Sequence, residues 1–361
     1  MSFHQDLDNL TRDMHDATWE VEYIKKNPVL ALMLERKTLQ FRGGKQYYRE
    51  VDTGTHESLA QSYTQNDTLT HGVVNSTERI TFIRKKIQFP VQIDEDEELE
   101  NASQTADGTK LHNLAKFRVR KANEGLRMYL RILMYRRTGH ASAATDSNRY
   151  MQGLNNALTV DHTYGQKTRT TASDIANYWQ PADNTLTTTT QSTTAQVLSI
   201  AWLREKLEPL EDLETDNVDL ITIVGGALWL SLIEEAEARG TPYKIMPDRL
   251  NSQGGKTTQG FHEMVIDGRR VLKDPYLSNR YNSAEGLTND AAGSLARRLY
   301  CLNLRDWEFF IHPKRNFKMS GFFDQSQIAN GSDFNLARIK WAGNLCCFHP
   351  NRQLMYENVT P

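Results

Sequence analysis

Residues 40–93 hold two strand-like arms, QFRGGKQYYREVD and ERITFIRKKIQFPVQI, on either side of a polar stretch from Thr53 to Asn75. In the second arm Ile87, Phe89, Val91 and Ile93 alternate strictly, the period of a strand with one buried face. A two-stranded ribbon in water is marginal by itself, and its edges leave backbone donors and acceptors unpaired. The chain must therefore lay this segment on another surface. The arms, 40–53 and 76–93, are expected to form a projecting ribbon over an adjacent subunit. Phe82, Ile87 and Phe89 would lie on its buried side, and Arg79, Arg84, Lys85 and Lys86 would seek acids on the neighbour.

The N-terminal segment makes a similar demand. Phe3, Leu7, Leu10, Met14, Ala17, Val21 and Ile24 form one narrow apolar stripe at helical spacing, with Asp6, Asp8, Asp13, Asp16 and Glu20 opposite. So narrow a stripe is nearer a coiled-coil seam than a broad core face. It suits docking on its own domain or on another subunit. Asn27-Pro28 breaks it, and Pro28 can open a short helix through Met33.

A long helix follows, with Leu111, Ala115, Ala122, Leu126, Leu130 and Leu133 along one side. Its many bases read as a solvated face, since no aromatic series interleaves with them for base stacking. Ahead of it runs the acidic stretch Asp94–Glu100. Glu97 and Glu98 are expected to meet Arg118, Arg120 and Lys121 across a subunit boundary. Residues 153–196 read as irregular, leading into a buried helix, VLSIAWLREKL. From Val218 the pattern is α/β: a strand DLITIV, a helix closed by Gly240, and a hairpin turning at Asp267-Gly268. The last third is strand-rich.

Several functions are argued against. A net charge of -2 over 361 residues lacks the basic excess of a dedicated nucleic-acid binder. Cys301 and the adjacent Cys346 and Cys347 make no disulfide framework. No apolar run is long enough to span a bilayer, and acids from Asp6 onward break any signal-peptide layout. This reads as a soluble protein kept in a cytoplasm. With Met1 in place, no processing of the N-terminal segment is expected. SQGGKTTQG suggests a phosphate loop, but Leu250 stands where the pattern needs glycine, and YKIMPDR is a poor preceding strand. ITIVGGALW has only Gly225–Gly226 where a dinucleotide fold wants G-x-G-x-x-G. No GxSxG or HExxH occurs, and Cys346, Cys347 and His349 suit a metal badly because adjacent strand residues face opposite ways. No catalytic residue, cofactor or metal is expected.

The order of NPVLALM, EELEN, the long helix, GLNNAL, YGQKTRTTASDIANYW, FHEMVIDGRRVLKD, YCLNLRDWEFFIHPKRNF and KWAGNLCCFHPNR resembles the major capsid proteins of tailed bacteriophages. One departure is Gly165-Gln166, where the resemblance leads one to expect paired glycines. The resemblance implies an α+β fold of the Hong Kong 97 type. It divides the chain into an N-terminal arm (1–39), an extended loop (40–93), a peripheral domain (94–214) with a long helix over 107–137, an axial domain (215–297), and returning peripheral strands with the C-terminus (298–361). SQGGKTTQG then becomes an axial-domain loop. The implied function is an icosahedral shell subunit that self-assembles as hexamers and pentamers around double-stranded DNA, bound non-specifically. Its implied partners are a scaffolding protein, a portal and a decoration protein; its place is the virion, assembled in the host bacterial cytoplasm, with no membrane. The alternative is an encapsulin-like or phage-derived shell, and the failed phosphate loop disfavours an NTP-dependent enzyme. The residues nominated for contact between subunits are Phe3, Leu7, Leu10, Met14, Phe82, Arg84, Ile87, Phe89, Glu97, Glu98, Arg118, Arg120 and Lys121.

Overall fold

The computed structural model describes residues 29, 32–33, 38–40, 43–44, 46–52, 62–64, 77–94, 109–135, 150–158, 163–167, 195–212, 220–240, 243–246, 263–266, 269–280, 294–324 and 334–361. In chain order these form β1 (Thr38–Gln40), β2 (Gln46–Asp52), β3 (Thr77–Ile83), β4 (Lys85–Asp94), α1 (Thr109–Tyr135), α2 (Leu154–Leu158), β5 (Gln196–Val197), α3 (Ile200–Asp212), β6 (Leu220–Val224), α4 (Gly226–Arg239), β7 (Tyr243–Met246), β8 (Glu263–Ile266) and β9 (Arg269–Lys273). The strands β10 (Leu299–Asn303), β11 (Trp307–Ile311), β12 (Lys318–Met319), β13 (Phe323–Asp324), β14 (Phe334–Cys347), β15 (Leu354–Tyr356) and β16 (Val359–Thr360) complete the chain. YKIM is a strand after all, and Pro247 follows its last residue.

One sheet is organised by β14, which pairs with β11, β12, β13 and β4, while β1 extends it beyond β11. The other sheet runs β15-β10-β6-β9-β8-β7. Its strands β6 and β10, LITIV and LYCLN, read as nearly continuous apolar runs because both their faces are covered. Along β10, Tyr300 and Leu302 enter the core shared with α1 and the first sheet, whereas Leu299 and Cys301 enter the core beneath α3 and α4.

The helix expected over 107–137 spans Thr109–Tyr135. Val119, Ala122, Leu126, Leu130 and Leu133 are buried along it, at the spacing of one helical face. A side chain at Gly125 would meet the Phe89 ring at 2.9 Å, so this glycine lets β4 lie close on the helix. Helix α4 ends at Gly240, whose left-handed φ of 63° brings its N–H to the carbonyls of Ala236 and Glu237.

Two segments differ from the sequence reading. Within 153–196, expected to be irregular, Leu154–Leu158 is a short helix. Gly153 precedes it because a Cβ there would sit 2.3 Å from the Leu133 carbonyl. The second difference is β4. It leaves the ribbon and pairs antiparallel with β14 from Lys85↔Gly343 to Asp94↔Phe334, so the ribbon proper is β2 with β3.

The turn at Gly165-Gln166 explains the expected glycine pair. Tyr164 and Lys167 exchange backbone hydrogen bonds at 3.0 Å, and φ is 58° at Gly165 and 63° at Gln166. Positive φ at both central residues is the hallmark of a type I′ turn. A left-handed non-glycine residue costs roughly 1–2 kcal/mol, and glycine's extra entropy in the unfolded chain offsets part of that. Gln166→Gly is expected to stabilise the protein by about 0.5–1 kcal/mol, read as a higher urea midpoint.

Candidate functional site

The ribbon was expected to find its support on a neighbour. Instead its apolar face lies on its own chain. Ile80 and Phe82 are fully buried, and the Phe82 ring packs edge-on against Tyr164 at 5.2 Å and Phe348 at 5.7 Å. Tyr47 stacks on Phe310 at 5.3 Å and donates its hydroxyl hydrogen to Glu308 at 3.3 Å. Arg49 reaches the other Glu308 oxygen at 3.5 Å, with its guanidinium over the Phe348 ring. The 164–167 turn holds the ribbon from the other strand. Thr81 donates its N–H to the Gly165 carbonyl, and Lys167 pairs with Glu78.

The nominated contact residues therefore divide. Phe82 and Ile87 are buried within the chain, which removes them from the intersubunit set. The physical reason is the break at Arg84. A continuous strand would place Phe82 and Ile87 on opposite faces, whereas restarting at Lys85 turns both inward. Phe89 is half-buried against Gly125, and Arg84 is half-buried where β3 gives way to β4. Arg120 and Lys121 are exposed and both reach Glu124, at 3.8 and 3.4 Å, so among the described residues they meet an acid of their own helix. Arg118 is half-buried. Phe3, Leu7, Leu10, Met14, Glu97 and Glu98 lie outside the described residues, as does SQGGKTTQG.

The outward face of the ribbon carries Tyr48, 55% exposed, with the Arg79 guanidinium 3.6 Å above its ring. On α1, Phe117 is 55% exposed beside Lys121. Tyr129 is 36% exposed farther along the same helix, so the bases do have aromatic neighbours, contrary to the sequence reading, but two separated rings are not a continuous stacking platform.

The suspected dinucleotide turn has a structural explanation. A Cβ on Gly225 would lie 2.2 Å from the Leu277 carbonyl oxygen, so a crossing backbone segment requires the glycine. Among the described residues no group of His, Cys, Asp and Glu is arranged to hold a metal, and no described helix is long and apolar enough to cross a membrane. All three thiols are buried and unbridged.

Burial governs the titrations. It pushes the Cys301 thiol up to about 12, partly opposed by the Thr222 hydrogen bond, and holds Cys346 well above its ordinary range, with Glu308 adding to the effect. Burial and then the Glu308 carboxylate push Tyr47 up to about 12. A raised folded pKa contributes stability that is complete below the unfolded pKa and is lost as pH rises through the folded one. Stability is therefore expected to decline from about pH 9 upward, where unfolded thiols begin to ionise. His349 acts at the other end. Burial, then Arg352 and Arg49, lower it to about 4. Its contribution is present above the unfolded value near 6.5 and is lost as pH falls towards about 4. Burial also lowers Lys85 to about 8, a contribution that grows as pH rises from there and opposes the alkaline loss, so urea midpoints should be level only between about 6.5 and 8.

No protein-family model matches this chain, and no curated protein sequence matches it. Among solved structures, the capsid asymmetric unit of cyanophage A-1(L) superposes with a TM-score of 0.61 at 14% identity, over 93% of each chain. The capsid of a native GTA particle gives 0.47 at 10% identity over 91% of this chain and 90% of that one. The SrpI encapsulin of Synechococcus elongatus gives 0.46 at 10% identity, over 91% and 87%. The likeness to the first of these spans 93% of each chain, and the chain has the α+β fold of a phage capsid subunit, of the Hong Kong 97 type.

Proposed function

We propose that the protein is a shell-forming capsid subunit that assembles with copies of itself into an icosahedral particle enclosing double-stranded DNA. The observation that carries the reading is the extent of the fold match, 93% of this chain on 93% of a phage capsid subunit. A shared enzyme core with separate additions would match over only part of each chain. In this reading the sheet organised by β14, with α1, is the peripheral domain, and the β6–β10 sheet with α3 and α4 is the axial domain, which then takes in α3, β10 and β15 from outside the expected bounds of 215–297. The outward face of the ribbon, with Tyr48 and Arg79, is free to meet a neighbour. Scaffolding, portal and decoration proteins would be the further partners, and assembly would take place in the host bacterial cytoplasm.

Nuclease digestion of purified particles tests the cargo. Double-stranded DNA protected inside the particle is the expected result. Shells holding a protein cargo and no DNA would favour the encapsulin-like alternative.

A further inference from the structure

Along β14, Ile339 and Trp341 enter the core shared with α1, so Lys340 and Ala342 point to the other face of the sheet. Lys340 stands directly opposite Lys318 of β12 on one side and Gln88 of β4 on the other. Lys86 stands opposite Ala342, one pleat further along the same face. Residues directly opposite share a face, so three adjacent strands bring three lysines together, within a row ~10 Å wide. Lys86 and Lys318 are exposed and Lys340 is half-buried. Lys314 and Arg315 are exposed in the turn that joins β11 to β12. That turn starts at His312, whose N–H donates to the Ala342 carbonyl at 2.9 Å.

None of Lys86, Lys314, Arg315, Lys318 and Lys340 pairs with a carboxylate among the described residues. Two acids mark the ends of this face, Asp94 opposite Phe334 and Glu308 opposite Cys346, each ~20 Å along β14 from Lys340. Glu308 already accepts the Tyr47 hydroxyl hydrogen and faces Arg49. Like charges directly opposite in a sheet destabilise it, and nothing described in the chain relieves the repulsion between Lys318 and Lys340. With a net charge of -2 over the whole chain, this is a local gathering of cations and not a share of a general excess.

We propose that this face binds the phosphate backbone of double-stranded DNA, an inference that rests on the reading of the protein as a DNA-enclosing shell. The make-up of the face decides the class of partner. A protein interface is centred on apolar or aromatic anchors, and none of the exposed large apolar side chains lies on β4, β12 or β14. The same lack of exposed rings leaves unpaired bases nothing to stack on. A duplex backbone asks only for cations and amide donors, which the lysines and the exposed Gln88 and Gln92 supply. A phosphate between Lys318 and Lys340 turns their repulsion into a shared attraction. The contact is independent of sequence, because phosphates carry none.

The test titrates unassembled full-length protein into a labelled mixed-sequence duplex across a salt series, and images the same preparations for particles. Lys318→Gln with Lys340→Gln is expected to weaken binding roughly tenfold at low salt. It should also lower the slope of log affinity against log salt by about 1.8, about 0.9 for each phosphate contact removed. Its urea midpoint should be unchanged or higher, since a like-charge pair is gone. Lys314→Gln with Arg315→Gln, in the turn, should give the same loss without touching a strand. Arg120→Gln with Lys121→Gln, an equal charge loss on α1, should leave affinity and slope as in wild type. Wild type that fails to bind duplex, sheet and turn variants that bind as well as wild type, or an equal loss in the α1 variant would each overturn the assignment. Tighter binding of polyglutamate than of duplex at equal charge would overturn it in favour of an acidic protein surface. Each of these leaves the shell reading standing where closed particles still form. Duplex binding that follows the lysines in a protein that forms no particles supports the face and overturns the shell.

Discussion

Asp274→Ala is expected to destabilise the folded subunit by about 3–5 kcal/mol, the range for breaking a buried, hydrogen-bonded charge. Asp274 is fully buried just beyond β9. It accepts the Tyr135 hydroxyl hydrogen at 2.6 Å and the Tyr276 N–H at 2.8 Å, and it faces the Arg131 guanidinium at 3.9 Å. Tyr135 closes α1, so this carboxylate joins the long helix to the β6–β10 sheet. The joint continues through Arg298, which donates to the Tyr135 carbonyl at 3.3 Å and lies 3.6 Å from Glu357, and through Asn155, bonded to the Tyr135 carbonyl and the Tyr300 hydroxyl. Alanine leaves a cavity and strips Tyr135 of its acceptor. Asp274→Asn keeps an acceptor and the shape, and should cost about 1–3 kcal/mol. Urea unfolding measures both. A loss under about 1 kcal/mol for alanine would show that the joint is dispensable.

Phe82→Ala should cost about 3–5 kcal/mol in the free subunit, the usual loss for deleting a fully buried aromatic ring. The ring sits between Tyr164 and Phe348 and fastens the ribbon to its own sheet. The unfolding midpoint of unassembled protein is the deciding measurement, because a residue whose burial came only from a neighbour would leave that midpoint unchanged. Amide exchange should agree. The β3 amides should be protected before assembly, and equally fast exchange along the ribbon in wild type and variant would contradict the in-chain packing.

The sequence reads well where burial is periodic and local. The stripe Ala122, Leu126, Leu130 and Leu133 marks α1, and Gly240 marks the end of α4, because helix faces and caps are set by neighbouring residues. The apolar runs LITIV and LYCLN mark strands covered on both sides. The same signals are silent about partners. The alternation from Ile87 to Ile93 shows that β4 has an inner face, but nothing in it says that residues 334–343 supply the adjacent strand. Arg84 looks like one more base in a basic strand. Only its position at the break explains why Phe82 and Ile87 both point inward. Gln166 drew notice as a missing glycine, and the turn it forms required the Tyr164↔Lys167 bridge to be seen.

The shell itself is tested most directly by negative-stain electron microscopy of the purified full-length protein, alone and co-expressed with its neighbouring genes. Closed, uniform, hollow particles with icosahedral outlines are the predicted result. Folded protein that stays monomeric or forms only small oligomers in both preparations would contradict it.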